Sequence, residues 1–212
     1  MLALITIFCT SFVIALSGAM MPGPLLTATI SETSLQGFTA GPLLLLGSGF
    51  VVLLLVLALV LGLAPFLQRQ EVFIFTALAG AIILAWMGVG MLRTLNTLRI
   101  DWKEKSAGSS NHLIISGILL SIANPYWTIW WASIGLGYIL YSQKFGILGI
   151  LFFFLGHIIA DLTWYAIVSL AVDRGRHFLT DRLYRGVIGI CASFLIIFAC
   201  YFAYSGFHKI FA

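Results

Sequence analysis

Charge is scarce in this chain. Asp, Glu, Lys and Arg make up 8% of its 212 residues, against about 25% in a soluble domain. That shortage excludes a fold with an ordinary solvated surface and leaves little room for a soluble domain. The 11 Lys and Arg residues and the net charge of +4 are too small for a nucleic-acid surface, so no nucleic acid is expected as a partner. Cysteine is scarce too. Cys9, Cys191 and Cys200 all lie in apolar runs and none belongs to a CxxC pair, so they read as buried packing residues. Proline is limited to five residues, three of which crowd into two places. No basic residue precedes Arg69. A signal peptide carries a positive start, so the first apolar run is expected to remain as a helix.

What is abundant is apolar sequence: 61% of residues are hydrophobic and the mean hydropathy is +1.10. A spanning helix needs about 20 apolar residues. Six segments meet that need, at residues 2–34, 37–67, 72–92, 113–141, 146–172 and 186–207. The expected fold class is all-α, an integral membrane protein with six transmembrane helices. It forms a single domain over 1–212, with halves 1–92 and 112–212 joined by a polar cytoplasmic linker at 93–111. The linker contains the flexible run Ser106-Ala107-Gly108-Ser109-Ser110. Three helices is an odd number, so the second half enters the membrane in the opposite sense, the signature of inverted repeats. Leu46-Gly47-Ser48 and Leu155-Gly156-His157 are a weak internal match between the halves.

Lys and Arg set the orientation. Arg93, Arg99, Lys103, Lys105, Arg174, Arg176, Arg182 and Arg185 fall in the loops after segments three and five, and only Arg69, Lys144 and Lys209 fall on the other side. The first set marks the cytoplasmic face of the cell membrane and puts both termini outside.

Helices one and four are expected to be broken, at Met21-Pro22-Gly23-Pro24 and at Asn124-Pro125-Tyr126. Proline lacks an amide hydrogen and clashes with the carbonyl four residues back. Pro22, Pro24 and Pro125 therefore free the carbonyls of Gly18, Met20 and Ser121. Gly23 and Asn124 suit the N-cap position, and Pro24 and Pro125 suit the first helical position. Each break would present free amides to a carboxylate and free carbonyls to a cation. The alternative is a packing kink, which spanning helices tolerate. Breaks at corresponding places in two halves favour a binding site.

His157 and Asp161 lie mid-span in segment five, four residues apart and so on one helix face. Trp164 and Tyr165 continue that face. An acidic residue at a helix centre costs about 2.5–3.5 kcal/mol on insertion scales and usually marks an ion or solute path. Asp161 would hold an ammonium group or a coupling cation, or the pair would relay a proton. A structural contact between helices is the plainer alternative. Trp127, Trp130 and Trp131 share a face beside Tyr126, and suit either an interfacial belt or the wall of a solute path. Gly80, Ala81, Ala85, Gly88 and Gly90, with Gly186, Gly189 and Ala192, read as close-packing residues.

At these residues the chain resembles the LysE/RhtB superfamily of amino-acid exporters. The likeness covers most of the chain. It rests on Met21-Pro22-Gly23-Pro24, Gly41-Pro42 with Gly47, Asn124-Pro125, and Gly156-His157 followed by Asp161-Leu162-Thr163-Trp164-Tyr165. The resemblance implies a secondary active exporter of amino acids or related small solutes. It would be driven by a coupling ion, H+ or Na+, with alternating access around the breaks and no enzymatic activity. The core that the resemblance implies is Pro22, Gly23, Pro24, Asn124, Pro125 and the region of Asp161; Tyr126 and His157 join the expected site on their own chemistry. No cofactor and no resident metal are expected. The partners are the solute and the lipid bilayer, with a homodimer left open. The chain departs from its relatives in segment two. Ser48, Gly49 and Val52 carry no charge there, which argues against a symmetric two-acid mechanism and against dibasic amino acids.

Two other transport or redox classes stay open. Divalent cation efflux needs several oxygen, imidazole or thiolate ligands. A membrane thiol–disulfide electron carrier needs two cysteines that meet. An embedded enzyme using His157 and Asp161 lacks any nucleophile motif or HExxH.

Overall fold

The computed structural model describes residues 1–67, 69–95, 109–175 and 180–211. All regular structure in them is helical, as lipid requires of a chain that cannot close a barrel, because a helix satisfies its own backbone. The elements are α1 (Leu2–Ala19), α2 (Pro24–Gln36), α3 (Ala40–Ala58), α4 (Ala64–Leu67), α5 (Gln70–Thr94), α6 (Ser110–Ile122), α7 (Pro125–Trp130), α8 (Leu136–Gln143), α9 (Gly146–Arg174) and α10 (Asp181–Phe211). Among the described residues, five helical stretches are long and apolar enough to cross a membrane. A sixth is made if α6 and the α7–α8 stretch, bent by 62° at Asn124, count as one span. Much of the linker expected at 93–111, including Arg99, Lys103 and Lys105, lies outside the described residues, as does Arg176.

Segment two is longer than one span requires, and the structure gives the reason. After α3 the chain kinks within Leu59–Leu63, where Gly62 leaves the helical backbone with φ +107°. That left-handed backbone is open to glycine at little cost. The remaining residues form the separate short helix α4.

Three helix pairs build the bundle. α5 and α10 run antiparallel along their length. At one end Gln70 Nε2 donates to the Lys209 carbonyl at 2.8 Å. At the other Leu95 packs on Gly189, whose missing side chain leaves 3.7 Å. Between them a methyl on Gly88 would meet Ile196 at 2.8 Å and the Ala192 carbonyl at 3.0 Å. A methyl on Gly90 or Gly186 would meet no neighbouring element within 4 Å. The close-packing expectation therefore fits Gly88 and Ala192 and not those two, which have turned off the contact face.

α1 packs on α9 and α3 on α6, each at glycines. A methyl on Gly47 would overlap the Ile114 carbonyl, and one on Gly117 would overlap the Leu44 carbonyl. A methyl on Gly156 would lie 2.5 Å from the Phe8 carbonyl, and Ser11 Oγ donates to the Phe153 carbonyl at 2.7 Å. Backbones this close gain dispersion contacts that lipid cannot supply.

The cysteines differ from expectation. Cys191 is buried, but Cys9 and Cys200 are exposed on the outside of the bundle. A thiol behaves as a small hydrophobe, so apolar surroundings suit it on either side of the helix surface.

Candidate functional site

α1 ends at Ala19, and its last turn tightens. The Met20 amide bonds to the Leu16 carbonyl at 2.9 Å and the Met21 amide to the Gly18 carbonyl at 3.2 Å. α6 ends the same way, with the Ala123 amide on Leu119 at 2.9 Å and the Asn124 amide on Ser121 at 3.2 Å. The carbonyls of Gly18 and Ser121 are therefore not free, contrary to the proline argument. Each accepts from the amide three residues on, a common way for helix ends to satisfy orphan carbonyls.

The new helices start as the residue types require. Gly23 is extended, at φ −151° and ψ −178°, and Pro24 opens α2. The Thr27 amide closes the first turn on the Gly23 carbonyl at 3.0 Å. Asn124 caps α7 with its side chain, Oδ1 accepting from the Tyr126 amide at 3.1 Å, and Pro125 follows it. The two breaks face each other: a methyl on Gly23 would stand 3.5 Å from Asn124 Nδ2.

α9 supplies the ionisable pair. His157 Nε2 lies 3.3 Å from Asp161 Oδ2, with the two side chains 7% and 14% exposed. The imidazole is boxed in by aromatic rings, with centroids at 4.8 Å for Trp131, 5.3 Å for Trp130 and 6.2 Å for Phe153. Trp131 lies flat on its own helix because Gly135 has no side chain; a methyl there would meet the ring at 2.5 Å. The helix widens into a π-type turn over Trp131–Gly135, a feature often found at functional sites.

These parts enclose one cavity of about 80 Å³. At about 10–15 Å³ per water, it has room for about five to eight waters or one small solute. Pro22, Gly23, Pro24, Asn124, Tyr126, His157 and Asp161 all line it. Pro125 sits in the chain between two of them. Trp127, Trp130 and Trp131 line it as well. Trp130 and Trp131 are buried, at 6% and 1% exposure, so these two form a wall and not an interfacial belt. Tyr126 meets Phe198 of α10 edge to face at 6.0 Å, which ties the second break to the α5–α10 pair. Of the two aromatics expected to extend the α9 face, Tyr165 reaches the cavity and Trp164 does not. Tyr165 continues the four-residue spacing from His157 and Asp161, while Trp164 is rotated off it.

Two hydroxyl groups outside the expected site also line the cavity. Ser121 Oγ donates to Ser48 Oγ at 2.8 Å, and both serines line the cavity. Ser48 is the one serine of its apolar run, but Ser121 shares its run with Ser116 and Ser133, and nothing in the sequence says that the two meet. Among the described residues no three of His, Cys, Asp and Glu come together, and none of the three cysteines lines the cavity.

The comparisons with known proteins agree with this architecture. Residues 16–206 match the family model described as LysE type translocator. Over 202 residues the chain is 28% identical to a Bacillus subtilis (strain 168) protein named "Putative amino acid efflux protein YcgF", covering 94% of this chain and 96% of that one. No solved structure matches. With nearly its whole length matched, the chain belongs to the LysE type translocator family.

Proposed function

We propose that this protein is a secondary active exporter of amino acids or related small solutes across the cytoplasmic membrane. A gradient of H+ or Na+ drives it, and access alternates around Pro22-Gly23-Pro24 and Asn124-Pro125. The observation that carries this reading is the single cavity lined by both breaks and by the buried His157–Asp161 pair. The relative's name, an amino acid efflux protein, supplies the solute class and the direction. The cavity's small volume favours a single small solute.

An inverted repeat is supported by the helix contacts. A shift of 109 residues takes Leu44 and Gly47 onto Phe153 and Gly156. A shift of 106 takes Phe8 and Ser11 onto Ile114 and Gly117. Under those shifts the α1–α9 contacts become the α3–α6 contacts, with each carbonyl meeting its counterpart partner. Pro24 and Pro125 differ by only 101, so the first break carries extra residues and opens later along its helix. Crossings that repeat in both halves are hinges of like geometry, which suits rocking about a central site.

Sidedness follows the charges. Arg93 lies in the last turn of α5 and Arg174 in the last turn of α9, and Arg182 and Arg185 lie at the start of α10. Arg69 and Lys209 stand at the opposite end of the α5–α10 pair, joined through Gln70. The first end is the cytoplasmic one on the positive-inside rule, and both termini then lie outside.

Counterflow in proteoliposomes tests the reading. Vesicles loaded with each unlabelled amino acid in turn are expected to drive saturable uptake of the same labelled amino acid for at least one of them. No flux for any amino acid, with folded protein in the vesicles, would overturn it.

A further inference from the structure

Among the described residues, three buried side-chain nitrogens have no hydrogen-bond partner: Trp130 Nε1, His157 Nδ1 and Trp164 Nε1. The first two belong to residues in the cavity wall that are 6% and 5% exposed, and their rings touch at 5.3 Å. Buried polar atoms are rarely left unpaired, and two on neighbouring rings of one cavity wall point to a ligand.

Their hydrogen-bonding signs follow from chemistry. A carboxylate only accepts, so the Nε2 facing Asp161 Oδ2 at 3.3 Å carries the hydrogen. In a neutral imidazole Nδ1 is then an acceptor. An indole N–H only donates. With the imidazole neutral, the wall therefore holds one donor and one acceptor on rings whose centroids lie 5.3 Å apart, neither nitrogen bonded within the protein. An α-amino acid carries its own complement, a carboxylate and an ammonium group on one carbon.

We propose that Trp130 Nε1 and His157 Nδ1 together recognise a zwitterionic α-amino acid, the indole N–H holding the carboxylate and the imidazole accepting from the ammonium group. This rests on the exporter reading above and deepens it. Asp161 is a positioning residue for the imidazole, fixing which nitrogen presents a lone pair, and its charge favours the ammonium end. The counterpart positions in the first half, Ser48 and Val52, carry no charge, so the solute binds in one orientation.

The last turn of α1 covers the indole end of this pair. A methyl on Gly18 would stand 3.1 Å from Trp130 Nε1. A solute reaching both nitrogens displaces that turn, which links occupancy to the break at Pro22–Pro24.

The test uses the full chain purified in detergent, with binding read from ligand-dependent shifts of the thermal unfolding midpoint. The probes are L-alanine, L-threonine and L-leucine, each beside its amide and its N-acetyl derivative. Wild type is expected to bind at least one parent amino acid about tenfold or more tighter than either derivative, as loss of a charged hydrogen bond implies. Trp130→Phe should erase the preference over the amide and keep that over the N-acetyl compound. His157→Phe should do the reverse. Wild type that binds the derivatives as well as the parents, or binds none of the parents, overturns the proposal without any variant. Variants that weaken all probes equally overturn it too, since that is the mark of a structural role. Counterflow of an amino acid together with flat ratios defeats this inference alone; the exporter reading fails only if counterflow itself is absent.

Discussion

In the inverted-repeat reading proposed above, the halves of this molecule use one pattern of helix crossings and different chemistry. Where α9 carries His157 and Asp161, the corresponding stretch of α3 carries Ser48 and Val52. Ser48 still lines the cavity and bonds to Ser121, while Val52 is turned into the core, at 1% exposure, away from it. Backbone approach therefore repeats through glycine, whereas charge does not. Packing needs only that carbonyls and missing side chains recur, as at Gly47 and Gly156. A zwitterion needs unlike ends, and a site with one charged wall and one hydroxyl wall supplies them.

The sharpest way to break the comparison is to equalise the halves. Val52→Asp places a carboxylate in the apolar cluster that holds Ile7, Val56, Leu59 and Trp130. An unpaired buried charge costs about 3–5 kcal/mol, so the variant should lose most of its folded yield in detergent size-exclusion chromatography. Recovery of a stable protein would mean that α3 already has a polar path at that depth.

The glycine crossings come next. Gly117→Ala forces the α3–α6 backbones apart and should cost about 1–3 kcal/mol, the usual range for overpacking. Gly186→Ala, with open space around it, should instead be neutral or stabilise by up to about 1 kcal/mol through helix propensity. Thermal midpoints that fall equally in both variants would contradict the contact geometry.

Pro24→Ala lets α2 recover an amide at its first residue and removes a reason for the break. Flux should fall several-fold with little change in stability, because proline at the first helical position contributes little to folding beyond its preset φ. An unaltered rate would make the break a packing feature. The smallest effect belongs to the thiols: replacing Cys9, Cys191 and Cys200 together by Ala should leave flux unchanged. Abolished activity would favour the thiol–disulfide class.

The parts legible in the sequence were those written locally. Proline beside glycine or asparagine specifies a helix start on its own, and Gly23 and Asn124 take those places. The four-residue spacing of His157 and Asp161 fixes a shared face in any helix. Other features depend on partners far along the chain. The Ser48–Ser121 bond joins residues 73 apart, and which glycines face a neighbour depends on helix rotation, so Gly88 and Gly90 looked alike and are not. The Gly18 and Ser121 carbonyls were misjudged because a helix end tightens its last turn instead of leaving acceptors bare. The kink at Gly62 hid inside an uninterrupted apolar run, where hydropathy carries no information on φ.

The central claim is that the charged wall in α9 carries the solute. Its most direct test is counterflow of the identified amino acid through wild type and Asp161→Asn, with equal amounts of folded protein in the vesicles. The account predicts saturable flux in wild type and a fall of about tenfold or more in the variant, the loss expected for a charge-assisted interaction. Equal flux in the two proteins would contradict it and leave the His157–Asp161 pair as a structural contact between helices.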